Sequence, residues 1–191
     1  MKISILPLML LTMPTLAMSE ETGWNFGFYA AKYYDTEPAN FWRSRTKYLE
    51  QYMVALNVSK TVWRSESESW TLEIDGMLGH QFGLHTLNEF AIAPTLGWHR
   101  FPWSETLPTT LRFAPLGYSH TSSVSRLEQG TQAKGSRTLN LLLAELSFAS
   151  PASKSEEIFF RLHHRCDIYD ILNQYGNNGE DFFAIGYRHQ Y

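Results

Sequence analysis

The fold is decided by residues 181–191, which read Asp-Phe-Phe-Ala-Ile-Gly-Tyr-Arg-His-Gln-Tyr. One set of alternate positions is aromatic or aliphatic apart from His189, and it comprises Phe183, Ile185, Tyr187 and Tyr191. The positions between them are small or polar apart from Phe182. A period of two residues, with one apolar face and one polar face, is typical of a strand in a transmembrane β-barrel.

Seven earlier segments alternate in a similar way, and they begin near Trp24, Tyr52, Trp70, Phe90, Leu111, Asn140 and Ile158. The segment that starts at Trp70 is the clearest, because Glu73 and Asp75 lie on the face opposite its apolar side chains. Pro94 and Pro115 interrupt two of the segments, and Pro94 is expected to mark a bulge. Polar connections are predicted at residues 33–48, 64–69, 81–87, 101–108, 121–135 and 150–155.

These eight segments predict an all-β fold, an eight-stranded antiparallel up-and-down transmembrane β-barrel formed by residues 20–191. In hydrocarbon every backbone N–H and C=O group must be paired, and a closed barrel meets that demand without leaving a sheet edge. Eight strands leave a narrow lumen that inward side chains fill. The charged side chains predicted to point inward and to pair there are Glu73, Asp75, Glu145, Arg161 and Arg188.

Residues 1–19 have the features of a secretory signal peptide, since Lys2 precedes an apolar run that ends at Ala17-Met18-Ser19. No later apolar run is long enough for a membrane-spanning helix. A formal net charge of −3 and a sequence pI near 6.2 indicate no basic surface for nucleic acid. We therefore expect export to the bacterial outer membrane. The terminal aromatic Tyr191, which follows apolar residues at alternate positions, resembles the signal that the barrel-assembly machinery recognises. This predicts that machinery as a partner during biogenesis.

The end of the seventh segment, residues 163–167, holds the densest group of reactive side chains, His-His-Arg-Cys-Asp. The apolar positions of this segment are expected to face lipid, and the period of two places His164 and Cys166 on the same outer face. Asp181 starts the last strand with the same parity, and Glu180 precedes it in the loop. A thiol, an imidazole base and a carboxylate are the groups that nucleophilic acyl transfer needs. The sequence therefore predicts an outward-facing site of His164, Cys166 and either Asp181 or Glu180.

This arrangement resembles the lipid A 3-O-deacylases of the PagL type, which are eight-stranded outer-membrane barrels with His-x-Ser on the seventh strand and Glu at the start of the eighth. His164 matches the histidine, Cys166 stands at the serine position, and Asp181 stands where the acid would lie. The resemblance covers residues 138–191 by pattern and the rest of the chain by strand count. The chain departs from the family in having Cys for Ser, Asp for Glu, and Asp-Ile-Tyr at 167–169 in place of a small polar segment.

The resemblance implies a hydrolase that cleaves an ester-linked acyl chain of lipopolysaccharide. Cys166 would be the nucleophile, His164 the general base, and Asp181 or Glu180 the group that orients the imidazole. No metal or other cofactor is expected, because the histidines and acids lack a three-ligand cluster on one face. The alternative is a non-enzymatic barrel with a structural, adhesive or surface-binding role, in which the histidines are ordinary interface residues and the single cysteine is inert. The oligomeric state and the role of the loops at residues 33–48 and 121–135 are left open by the sequence.

Overall fold

The computed structural model describes residues 23–35, 42–129, 135–167 and 179–191. Its strands form one closed antiparallel barrel, in which each strand pairs with its neighbours along the chain and the last strand pairs with the first. The eight strands are β1 Trp24–Asp35, β2 Lys47–Arg64, β3 Trp70–Gly83, β4 Leu87–Trp98, β5 Thr109–Thr121, β6 Thr138–Ala149, β7 Glu156–Cys166 and β8 Glu180–Gln190. The predicted eight-stranded barrel is thereby confirmed. The predicted signal peptide, residues 1–19, lies outside the described residues.

The strands reach further than the sequence pattern predicted. The loop predicted at residues 33–48 is too long at both ends, since β1 continues to Asp35 and Asp35 pairs with Lys47 on β2. The predicted connection at 81–87 likewise begins too early, because β3 runs to Gly83 and Gln81 pairs with Leu87. Backbone pairing needs no alternation of side chains, so a ladder continues past the rows where one face must be apolar. Among the described residues, no helix is long and apolar enough to cross a membrane.

Both strand prolines lie where the ladder is irregular. The β4–β5 register shifts between Ile92 and Leu96, the interval that contains Pro94. The β5–β6 register shifts between Ala114 and Gly117, next to Pro115. A proline cannot donate to a ladder, and these shifts remove the need for that hydrogen bond. The bulge expected at Pro94 is therefore present on the side of that strand that faces β5.

The two faces of the sheet differ as the dyad pattern predicts. Large apolar side chains stand outside the barrel, with 59% of Phe28, 65% of Leu56 and 62% of Leu78 exposed. Inside, aromatic side chains such as Phe159 pack against small residues at the middle of the lumen. Gly186 is required there, because a Cβ at that position would come within 2.2 Å of Phe159 Cζ. An apolar exterior with a filled interior is the pattern of a membrane barrel, not of a soluble one.

The end of the lumen near Trp24 and Tyr191 contains a buried group of ion pairs, which we call the basal cluster. Its members are Glu73, Asp75, Arg112, Glu145, Glu157, Arg161 and Arg188. Glu145 contacts all three arginines, at 3.4 Å from Arg112 and 2.6 Å from Arg161, with Arg188 also in direct contact. All five charges that the sequence placed inside are members of this cluster, so that prediction is confirmed.

Candidate active site on the outer face of the barrel

The predicted site residues lie at the end of the barrel opposite the basal cluster. We call this end the loop rim, because the connections β1–β2, β3–β4, β5–β6 and β7–β8 all lie there. In the β7–β8 ladder His164 is directly opposite Asp181, and in the β6–β7 ladder Cys166 is opposite Asn140. Facing residues of an antiparallel pair have Cβ atoms about 5 Å apart. The ladder therefore places the histidine next to the acid, and the thiol lies two residues further along the same face of β7.

The imidazole of His164 is held between the acid and the thiol. Its Nδ1 lies 2.7 Å from Asp181 Oδ1, and the side chains of this pair are 15% and 8% exposed. The ring also interacts electrostatically with the side chain of Cys166, which is half-buried. When Nδ1–H donates to the Asp181 carboxylate, Nε2 is the ring nitrogen left to accept a proton from the thiol. This is the relation of nucleophile, base and orienting acid that acyl transfer requires.

Glu180, the other acid that the sequence proposed, lies on the opposite face of the sheet. Its side chain is fully buried in the lumen, where one oxygen accepts a hydrogen bond from Gln81 Nε2 at 3.1 Å. The same carboxylate is 3.4 Å from Arg165 Nη1. Adjacent residues of a strand point to opposite faces, so a shift of one residue separates Glu180 from the imidazole. Of the two acids, Asp181 is the one that contacts His164.

A buried polar group beneath the site, which we call the rim cluster, supports the backbone that carries it. It comprises Glu89, Ser119, Glu128, His163, Arg165 and Glu180. Arg165 lies between His164 and Cys166 in sequence but points inward, where it donates to Ser119 Oγ at 2.8 Å. Three carboxylates surround this single guanidinium, including Glu128 from the β5–β6 connection. The rim cluster therefore fixes the strand ends on the inside while the reactive side chains stand outside.

Gly179 packs closely behind the site in a conformation that favours glycine. Its φ is +74°, in the left-handed region where a Cβ is unfavourable. A Cβ on this residue would come within 2.7 Å of the Arg165 carbonyl oxygen and 3.2 Å of His164 Cε1. The chain can therefore enter β8 directly against the imidazole only because residue 179 lacks a side chain. The sequence showed Gly179 as part of a polar loop, with no sign of this contact.

Tyr34 completes the surroundings of the acid on the side away from His164. It lies on β1, is almost fully buried, and interacts electrostatically with Asp181. The sequence assigned Tyr34 to a loop, so its place beside the acid was missed. Within the described ranges, no group of three or more His, Cys, Asp or Glu side chains is arranged to hold a metal ion.

Comparison with known proteins gives structural neighbours only. No family model matches the chain, and no curated protein matches its sequence. The crystal structure of the outer membrane enzyme PagL is similar with a TM-score of 0.58 and 14% identity, over 86% of this chain and 98% of that chain. The crystal structure of Neisserial surface protein A, NspA, is similar with a TM-score of 0.55 and 10% identity, over 88% of this chain and 97% of that chain.

At these identities the likeness shows the fold, and the fold is shared by an enzyme and a surface protein. The chain therefore has the fold of the bacterial outer-membrane β-barrels, in accord with the predicted location and with the apolar side chains that cover its exterior.

Proposed function

We propose that this protein is an outer-membrane ester hydrolase that removes an acyl chain from lipopolysaccharide. The observation that carries the proposal is the 2.7 Å contact of His164 with Asp181, beside the Cys166 thiol, on the outer face of the barrel. The sequence pattern that resembles the lipid A 3-O-deacylases supports the same substrate class. A channel function would have no use for these groups outside the lumen.

The location fits a substrate that is itself part of the membrane. Titratable side chains on the lipid face of a barrel are costly at the bilayer midplane, but the cost falls to about 0–1 kcal/mol near the interface. His164 and Cys166 are at the loop-rim end of β7, where they follow the last apolar residue of the strand, Leu162. The ester bonds of a glycolipid lie at this depth, between the sugar headgroup and the acyl chains. The site can therefore meet its substrate without drawing it into water.

The proposed reaction passes through a thioester. The Cys166 proton moves to His164 Nε2 while Sγ attacks the ester carbonyl carbon and a tetrahedral intermediate forms. Collapse breaks the bond between that carbon and the sugar oxygen, which takes the proton from the imidazolium. Water then attacks the thioester and gives a proton to His164, and the C–S bond breaks to release the fatty acid. The thiol regains its proton from the imidazolium.

Asp181 acts on this reaction through the imidazole. Its contact with Nδ1 selects the tautomer with a basic Nε2 and stabilises the imidazolium that forms in each half-reaction. A thiol is easier to deprotonate at neutral pH than a hydroxyl, so formation of the acyl-enzyme is easier for Cys166 than it would be for a serine. Cys166 is thus a chemically suitable occupant of the serine position.

Mass spectrometry of lipid A tests the proposal directly. Lipid A is extracted from cells of one strain with and without expression of this protein, after confirming that the barrel is present and folded in the outer membrane. The expected result is a new species lighter by the mass of one ester-linked acyl chain. An unchanged acylation pattern would reject the hydrolase and favour the structural, adhesive or surface-binding alternative.

The neighbouring acids Asp181 and Glu180 form a matched pair of variants. We expect Asp181→Asn to lower the rate of acyl release by roughly 10²–10⁴-fold, because an amide no longer fixes the basic tautomer of His164. Glu180→Gln should change the rate by less than about tenfold, since two other carboxylates remain beside Arg165. Fatty-acid release from purified lipopolysaccharide measures both. Equal losses in the two variants would contradict the assigned role of Asp181.

A further inference from the structure

Arg137 presents a fixed positive charge on the exterior of the loop rim. Its side chain is exposed, yet Nε donates to the Thr121 carbonyl at 2.8 Å and Nη2 donates to His120 Nε2 at 3.1 Å. His120 is held in turn, because its Nδ1 lies 2.8 Å from Thr138 Oγ1. An exposed arginine normally samples many rotamers, and these contacts restrict it before any ligand arrives.

The charge of Arg137 has no carboxylate partner among the ion pairs of the described residues. Lys32, another cation on the outer face near this rim, differs in this respect, because its Nζ lies 3.1 Å from Glu50 and 3.3 Å from the Tyr52 hydroxyl. An arginine that is restrained but has no such partner is suited to bind an anion from outside the protein. Its planar guanidinium can donate two parallel hydrogen bonds to a phosphate group.

The position of this arginine relates it to the candidate active site. The ladders pair His120 with Thr138, and one dyad lower they join Tyr118 to Asn140 and Asn140 to Cys166. The His120 position is therefore two strand spacings from the Cys166 position, about 10 Å, and one dyad further along its own strand toward the loop rim. Because the strands of a barrel tilt, the step across two strands offsets that rise, and the two positions lie at a similar depth. A glycolipid whose ester lies at Cys166 would have its phosphorylated sugar along the same stretch of the rim.

We propose that Arg137, oriented by His120, is a subsite for a phosphate group of the acylated glycolipid. The inference rests on the proposed function for the choice of ligand, and it adds the feature of the headgroup that the protein recognises. Arg137 binds the phosphate, and His120 is a positioning residue that acts through Arg137. The subsite orients the sugar so that one ester reaches Cys166, and it makes the protein selective for phosphorylated over dephosphorylated glycolipid.

Binding measured without turnover tests this subsite. Cys166→Ala protein in detergent micelles is titrated with phosphorylated lipid A and with the same lipid A after chemical removal of its phosphates. The expected result is tighter binding of the phosphorylated form by about tenfold or more. Adding Arg137→Gln should abolish that preference, and adding Arg137→Lys should leave part of it, because lysine keeps the charge without the planar pair of donors.

Arg45→Gln in the same background is the matched control, since Arg45 is an exposed arginine on the β1–β2 connection at the same rim. It should keep the preference for the phosphorylated lipid. Equal affinity for the two lipids in the Cys166→Ala protein, or the same loss of preference in Arg45→Gln and Arg137→Gln, would overturn the proposal. Inorganic phosphate is titrated as a separate arm, and binding of it as tight as that of phosphorylated lipid A would assign the site to free phosphate instead.

The result is independent of whether the protein hydrolyses its ligand. If the unmodified protein releases no fatty acid while the Cys166→Ala protein still prefers the phosphorylated lipid through Arg137, the hydrolase fails and the phosphate subsite stands. If acyl release is observed without any phosphate preference, the subsite fails and the hydrolase stands.

Discussion

Replacing Cys166 by alanine is expected to lower the rate of acyl release by at least about a thousandfold. The substitution removes the atom that attacks the ester while leaving His164 and Asp181 in contact, so the base remains and has no nucleophile to activate. The fold should survive, because the half-buried thiol lies outside the barrel and away from the lumen clusters. Fatty-acid release from lipopolysaccharide gives the rate, and the heat-dependent shift in gel mobility of folded barrels gives the folded fraction.

Cys166→Ser is the informative companion variant, since it restores the His-x-Ser pattern of the family that the sequence resembles. We expect it to keep measurable hydrolysis, because the His164–Asp181 pair is already arranged to take a proton from a hydroxyl. An alanine variant that retained full activity would eliminate Cys166 as the nucleophile. Loss of activity in both variants, with both barrels folded, would show that the site has become specific for a thiol.

The thioester can be sought directly, because Cys166 is the single cysteine of the chain. Protein mixed with excess lipopolysaccharide and quenched in acid should carry one acyl mass that hydroxylamine removes. A thiol-reactive label reports on the same residue without ambiguity, and acylation should protect the thiol from it. Labelling of His164→Gln protein should be slower, since the imidazole no longer draws the proton from the thiol.

The sequence predicted the fold and the two faces of the barrel because lipid outside and charge inside impose a period of two. Phe183 and Ile185 had to alternate with Ala184 and Gly186, and the same parity that took Arg161 into the lumen took His164 and Cys166 out of it. The prediction of site position followed from this parity. The alternation of apolar and polar positions is required only within the hydrocarbon core of the membrane. The sequence pattern therefore could not show that backbone pairing continues to Asp35.

Other parts of the site depend on contacts that no local pattern carries. Parity alone could have separated Asp181 from Glu180, but only if the first residue of β8 was known, and that boundary lay next to a polar loop. Glu89 and Glu128 meet Arg165 from distant segments, and their convergence is a result of the barrel closing. The sequence pattern did not single out Arg137, since its role depends on a neighbouring strand carrying His120.

Replacing Glu145 by glutamine is expected to reduce the free energy of unfolding by about 3 kcal/mol, at the lower end of what breaking a buried ion pair costs. Glu145 is the carboxylate that all three arginines of the basal cluster share. Its loss leaves Arg161 with Asp75 and Arg188 with Glu157, at 3.0 Å and 3.4 Å, so neither guanidinium is stranded. Those remaining contacts are why the expected cost stays near the lower end of the range.

The cost arises because a neutral amide replaces the negative charge that lies among three buried guanidinium groups. An amide can accept hydrogen bonds, but it cannot offset the repulsion between the three neighbouring guanidinium groups. Urea titration of the barrel in lipid vesicles, followed by tryptophan fluorescence, measures the change. Glu66→Gln is the control, since Glu66 lies in the exposed turn after β2, and it should change stability by no more than about 0.5 kcal/mol. An unchanged stability in Glu145→Gln would mean that the other acids alone hold the arginines together. A large loss of acyl release in the folded Glu145→Gln protein would contradict the separation of this cluster from the loop rim.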